Sequence, residues 1–245
     1  SKHDDALKII SGKPEYRDQV LKTTDTKDRQ EKAEKLIKFA QAISGVMEQN
    51  KAGLKDKEKK KGLEEQIFTA YVMAGMFDYT KFEEGTKYYE KQAGGVEKPT
   101  TDDQARAIDY KARLIHQRAV TMYNLAKTAD KKTERAEQKQ AQETIKKDAK
   151  PLFTRARDYH KQQLDELKKQ AAAANSKDRT AKLAELKPAM DHHEEQVKRL
   201  KQMIDTGAKK LEDLPGVRKE VKRLREAEKE TGSAEKGDSP KRKSD

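Results

Sequence analysis

The residues of this chain best suited to proton transfer or metal ligation are five histidines: His3, His116, His160, His192 and His193. A neutral imidazole is a ligand for divalent transition metals, and an imidazole poised near neutrality moves protons. Simple folding can bring only the last three together. His192 and His193 stand in the run DHHEE, and His160 lies a similar distance on the other side of the polar pair Asn175-Ser176. Reversal of the chain at that pair would set His160 opposite roughly Asp191. His160, His192 or His193, Asp191 and Glu194 could then approach one divalent ion. The plainer reading is that DHHEE is a solvated helix face with His193 partly sheltered on an apolar seam. No two of these residues on the second helix are spaced i,i+4, so no metal site is expected.

Other catalytic chemistry finds little support. The chain has no cysteine, which removes disulfides, thiolate nucleophiles and thiolate metal sites. No phosphate loop, dinucleotide fingerprint, nucleophile elbow or zincin motif is present. A di-iron helical bundle needs Glu-x-x-His on two helices, and no glutamate lies three residues before any of the five histidines. The expectation is a non-enzymatic protein with no catalytic residues and no cofactor.

Two further groups of residues could bind rather than react. Lys55, Lys57, Lys59, Lys60 and Lys61, in the run KDKEKKKG, are a candidate anion-binding patch, although such a run is also an ordinary solvated helix start. The net charge of +12 and the tail fragment SPKRK at 239–243 invite an anionic partner. The 56 basic and 44 acidic residues are nevertheless interleaved, as in Glu34–Lys38 and Glu220–Arg223, a pattern of solvated helix faces. Nucleic acid is therefore the second partner class, after protein. The other group is aromatic. Of eight tyrosines and five phenylalanines in the chain, seven fall between residues 67 and 89: Phe68, Tyr71, Phe77, Tyr79, Phe82, Tyr88 and Tyr89. Helical periodicity turns Phe68, Val72, Met76, Phe82 and Tyr89 inward. Tyr71, Tyr79 and Tyr88 are left as candidate partner-binding residues, since amphipathic aromatics are favoured at interfaces.

These groups must be held by helices. Hydrophobic residues make up 33% of the chain and charged residues 41%, against roughly 45–50% and 25% in ordinary globular domains. Long helices with narrow apolar seams use so few hydrophobic residues efficiently. A helix is expected near 27–50, from Ala33, Leu36, Ile37, Ala40, Ile43 and Met47. Two more follow near 64–77 and 80–93, broken by Asp78-Tyr79-Thr80 and stopped by Gly94-Gly95 before Pro99. The stretch FEEGTKYYEKQ resembles the second helix of a tetratricopeptide repeat, with Phe82, Gly85 and Tyr89 at its aromatic, small and aromatic positions. The resemblance spans about residues 66–92, with Val72 in the first helix. Met73 and Gln92 depart from the pattern, and no second copy recurs. It implies an antiparallel helix pair.

Thr100 or Thr101 can cap the next helix, with Asp102 and Asp103 in its first turn. Ile108, Ala112, Ile115, Ala119, Met122, Ala126 and Ala129 form a heptad seam, and Ile145, Ala149, Leu152, Ala156 and Tyr159 resume it. Residues 130–144 lack large apolar side chains and are expected to be exposed helix. A single helix over 102–174 would reach about 110 Å, with Pro151 as a possible kink. Leu183, Leu186, Met190, His193, Val197, Leu200 and Ile204 mark the returning helix of an antiparallel hairpin.

The expected fold is all-α and elongated. A small N-terminal helical bundle (1–100) joins a long antiparallel, coiled-coil-like helical hairpin and C-terminal helix (101–230), followed by a disordered tail (231–245). No run is apolar enough to cross a membrane. The absence of cysteine fits a periplasmic or secreted bacterial protein as well as a cytosolic one, and of these the bacterial periplasm or exterior is favoured slightly as the expectation. The expected function is a scaffold that docks on other proteins, or on itself, in a larger assembly. A narrower version is an accessory or sheath component of an extracytoplasmic filament such as a spirochaete periplasmic flagellum.

Overall fold

The computed structural model describes residues 26–49, 57–126, 131–174 and 179–208. The start of the expected N-terminal bundle, the expected C-terminal helix after the hairpin, the tail and Lys55 lie outside these residues. The described chain is all-α. Helix α1 is Thr26–Gln49, α2 Lys57–Phe77, α3 Lys81–Gln92 and α4 Asp102–Leu125. Helix α5, Lys131–Thr144, runs through one π-helical turn, Ile145–Ala149, into α6, Lys150–Ala173, and α7 is Arg179–Ala208.

Helices α1 and α2 pack antiparallel. Arg29, near the start of α1, donates to the carbonyl of Met76 at the end of α2. The α1 seam is buried at Ala33, Leu36, Ile37 and Ala40. The break before α3 is built by Asp78, whose Oδ1 accepts from the backbone N–H of Thr80 at 3.0 Å and its hydroxyl at 2.7 Å. Such a local bond offers the backbone an alternative to continuing the helix. After α3 the chain turns through Gly94 and Gly95, at φ 70° and 65°. Residues bearing a Cβ rarely adopt this left-handed conformation.

Helix α4 begins with a well-made cap. The Thr101 hydroxyl accepts from the Gln104 backbone N–H at 3.2 Å, and the Gln104 side chain accepts from Thr100. This is a capping box displaced by one residue. Its first half is buried on nearly every side: Ala105, Ala107, Ile108, Asp109, Tyr110, Ala112 and Leu114 all lose their solvent. The heptad seam captured only the face containing Ile108 and Ala112. The opposite face, with Tyr110 and Leu114, packs on the aromatic helices. One contiguous core therefore runs from Ala33 and Leu36 through Phe82 and Leu114 to Phe153, Leu200 and Ile204, with no division at residue 100.

The span 102–174 is not one helix. Helix α5 folds back on the end of α4, so that Ala119 and Tyr123 pack against Ala141 and Ile145 in a second small cluster. Residues 131–144 are helical and mostly exposed, as expected, but Ala141 and Ile145 give them one point of burial. Burying Tyr123 and Ile145 together removes apolar surface that a straight 110 Å rod would leave wet. The π turn then meets Pro151. Lys150 N–H bonds Ile145 O, an i→i−5 step that widens the helix just before a residue whose ring would collide with the preceding turn.

Helices α6 and α7 form the expected antiparallel hairpin. Its base enters the common core through Ala149, Phe153, Ala156, Leu200 and Ile204. Towards the turn the burial fades: Leu164 and Ala171 are buried, whereas Leu183 is exposed. Half of the hairpin is thus body and half is a projecting arm.

Candidate functional sites: a tyrosine-lined groove and a histidine cluster

The aromatic island is mostly core. Phe82 is fully buried, and Phe68, Tyr71, Phe77 and Tyr89 are buried with it. Tyr71 corrects the sequence expectation, for its ring was assigned to the rim but only 3% of the residue is exposed. Its ring lies against Tyr88 and Tyr89 of α3, with centroids 5.4 and 6.3 Å away, and Leu114 of α4 comes close beside Gly85. Phe68 stacks on Tyr110 with ring centroids 4.5 Å apart, and Tyr89 meets Tyr110 edge-on at 5.2 Å. Arg113 lies over the Phe68 ring, 4.3 Å from its centroid, a cation–π contact. Burial pushes the Tyr71 and Tyr110 hydroxyls up to about 12 and raises Tyr89 further. All three are neutral and polar-tipped at any ordinary pH.

Tyr88 and Tyr79 remain towards solvent. Tyr79 is 44% exposed beside the α2–α3 break. Tyr88 is half-buried, 4.9 Å from Tyr89 and hydrogen-bonded to Ser44 of α1. It lines an open groove of about 360 Å³ between α1, α2, α3 and α4. Tyr89 and Tyr110 share that lining, and Glu48, Glu64, Lys60, Asp103 and Arg106 border it.

The bordering charges are largely paired across helices. Arg106 binds Glu64 and Asp103, and Lys60 binds Asp103 and lies 3.9 Å from Glu64. The two cations hold Asp103 below the usual carboxylate range in spite of its partial burial. Lys60, part of the candidate anion patch, is thus occupied by carboxylates of its own chain. Lys59 and Lys61 are exposed on the same helix. The candidate patch and the groove meet only at Lys60.

The second site lies where the arm leaves the body. His160 of α6 and His193 of α7 are both buried, and their Nδ1 atoms are 2.9 Å apart. One ring donates and the other accepts, and the lowered pKa values of the pair keep both imidazoles neutral near pH 7. Burial and the neighbouring His193 push the His160 pKa down to about 4, and burial lowers that of His193. His192, exposed on α7, brings its ring to 5.3 Å from His193 and 5.9 Å from His160. The ring-nitrogen donors of these three all lie within 4.8 Å of one another.

Other groups close around the pair. Tyr159 stacks edge-on against His160, and burial acts with the carboxylate of Asp102, the first residue of α4, to raise the Tyr159 hydroxyl to about 12. The Asp102 carboxylate lies close enough to oppose the lowering of both buried histidines. About two helical turns further along α4, buried Asp109 pairs with Arg199 of α7 at 2.8 Å. Three helices therefore fix this corner. The sequence placed His160 opposite Asp191, two residues from its observed partner His193. Asp191 and Glu194 are exposed and do not join the converging set. Adjacent histidines lie about 100° apart on a helix, so a spacing rule based on i,i+4 pairs passes over them.

No protein-family model matches this chain, and no curated protein or solved structure shows significant similarity to it.

Proposed function

We propose that this protein is a non-enzymatic helical scaffold that docks a segment of another protein in the groove lined by Tyr88, Tyr89 and Tyr110. The observation that carries this reading is the groove itself. Its volume of about 360 Å³ sits at the low end of small-molecule pockets, which run roughly 300–1,000 Å³, and it is only partly enclosed. Tyrosine offers large contact area with little conformational entropy to lose, which favours a protein surface. Three carboxylates (Glu48, Glu64 and Asp103) border the groove against two cations (Lys60 and Arg106). The fitting occupant is a partner segment that inserts an apolar anchor flanked by Lys or Arg. An accessory role in an extracytoplasmic filament is a narrower form of the same reading.

A photoreactive benzoylphenylalanine in place of Glu48 tests it in the native host. The expected product is a discrete protein adduct that disappears when Tyr88→Arg fills the groove, with far-UV circular dichroism unchanged. Adducts that survive Tyr88→Arg, or that contain only nucleic acid, would refute docking at this groove.

A further inference from the structure

Docking at the groove leaves the histidine cluster without a purpose, and the cluster is costly. Two buried imidazoles satisfy each other with one hydrogen bond where a Leu–Leu pair would pack with no polar group to satisfy. We propose that His160, His192 and His193 bind one divalent transition-metal ion of the zinc class and that the ion ties α6 to α7 at the root of the arm. Donor type selects the ion. Three imidazole nitrogens suit Zn, Cu, Ni or Co, whereas Ca and Mg demand oxygen ligands.

The geometry is close to that of a bound site. A tetrahedral centre with metal–nitrogen bonds of about 2.1 Å holds its nitrogens about 3.4 Å apart. The Nδ1 atoms of His160 and His193 are at 2.9 Å and need to part by about 0.5 Å. No donor of the set is farther than 4.8 Å from another, so the remaining approach is at most about 1.4 Å, within the swing of the exposed His192 side chain. The three ring planes are inclined to one another by 43°, 64° and 81°, so the rings are splayed rather than stacked and leave room between them.

The protonation state also fits. Both buried rings are neutral in the shared hydrogen bond, and neutral imidazole is the ligating form. The ion takes the place of the proton held between the two Nδ1 atoms. That proton moves to Nε2 of its own ring, so each imidazole ends with one N–H and no net proton is released. The exposed edge of His192 gives the ion a path from solvent. The fourth position is open to water, or to Asp102 by a short movement of the first turn of α4. The tie has a mechanical consequence, because beyond this point the arm rests on sparse contacts at Leu164 and Ala171.

Titration of the full, metal-stripped chain with Co(II), read by visible absorption, and back-titration with Zn(II) test the site. The expected result is saturation at one ion per chain, the d–d bands of a four- or five-coordinate centre, and a higher midpoint of thermal unfolding with Zn(II). His192→Gln changes an exposed residue and so preserves the fold; it should weaken Co(II) binding by about tenfold or more. His160→Gln should abolish the bands, with circular dichroism confirming that the variant folds. The double variant Asp191→Asn/Glu194→Gln should bind like the parent. Absence of saturable binding, binding indifferent to His192→Gln, or binding lost with the two carboxylates would each overturn the proposal. None of these outcomes bears on crosslinking at Glu48.

Discussion

One chemical change, glycine to alanine inside a helix, should have opposite signs at different places in this protein. Alanine is favoured over glycine in a helix interior by about 1 kcal/mol, because glycine loses more backbone entropy on folding. At Gly45 of α1 and Gly62 of α2 an added Cβ meets nothing within 4 Å. There the propensity acts alone, and each variant should be more stable by up to about 1 kcal/mol. At Gly85 of α3 the new atom would lie 2.8 Å from Cβ and Cγ of Tyr71 and 2.9 Å from Cδ1 of Leu114. Ordinary carbon contacts are about 3.5–4.0 Å. Leu114 can swing its methyl aside, but the Tyr71 Cβ is rooted in α2, so helices α2 and α3 must separate by about 0.7 Å.

Overpacking of this kind costs about 1–3 kcal/mol, which exceeds the propensity gain and leaves Gly85→Ala less stable by about 1 kcal/mol. Gly75 should be worse. Its Cβ would lie 2.5 Å from the ring of Phe82, which is flat, rigid and fully buried. Urea unfolding followed by far-UV circular dichroism ranks the four variants. With m about 2 kcal/mol/M, each kcal/mol moves the midpoint about 0.5 M. The expected order is Gly45→Ala and Gly62→Ala above the parent, then Gly85→Ala, then Gly75→Ala, with m constant. If Gly85→Ala raises the midpoint as Gly45→Ala does, the close approach of α3 to α2 and α4 is wrong.

Two further outcomes follow from buried ionisable groups. Arg199→Met leaves Asp109, 4% exposed, without its partner, and should cost about 2 kcal/mol after discounting for the partly exposed guanidinium. The double variant Asp109→Leu/Arg199→Met should recover most of that loss, and a single-variant cost under about 0.5 kcal/mol in urea would mean the pair is no more than a surface contact. His116 is the second. Its pKa is lowered by burial from 6.5, so the unfolded chain takes up a proton that the folded chain resists. Stability is therefore constant above pH 6.5 and falls as pH drops below it, by up to about 1.4 kcal/mol per pH unit until the folded-state value is reached. His160 and His193, also lowered, add to the same slope, so His116→Gln should reduce it rather than abolish it in chelator-containing buffer. An unchanged slope would show that His116 does not contribute.

The sequence was most legible where one helix face or one local bond decides the outcome. The α1 seam, the Thr101 cap, the Gly94-Gly95 stop and the Asp78 break follow from short-range chemistry, and each is present. The hairpin was legible from its two seams, but its register was not. A four-residue turn leaves the pairing free by a residue or two, and that freedom moved His160 from Asp191 to His193. Helix α4 was half legible. A periodicity argument assigns one stripe to each helix, and α4 has neighbours on two sides, so buried Tyr110, Leu114 and Asp109 lie outside the seam that the sequence shows. Tyr71 is buried by tertiary contacts that periodicity does not show, the Tyr88 and Tyr89 rings of α3 with Leu114 of α4 nearby. The fold-back of α5 was illegible because Ala141 and Ile145 give too small an apolar signal to announce a partner.

Helix α4 also explains how so charged a chain makes a core at all. An isolated aromatic pair of helices, α2 and α3, would expose Tyr71 and Tyr89, and an isolated hairpin would expose Ala149, Phe153 and Leu200. By burying both of its faces, α4 lets each group cover the other, so few hydrophobic residues serve twice. The arrangement fixes where polar chemistry can sit. Charged groups of α4 find partners on both sides: Arg106 and Asp103 meet Glu64 and Lys60 at the groove, while Asp109 meets Arg199 near the arm. The groove and the histidine cluster therefore flank the first turns of one helix. An ion that drew Asp102 towards the histidines would pull on the turn that also carries Asp103. A measured change in Co(II) affinity on Asp103→Asn, a residue outside the ligand set, would be the signature of that coupling.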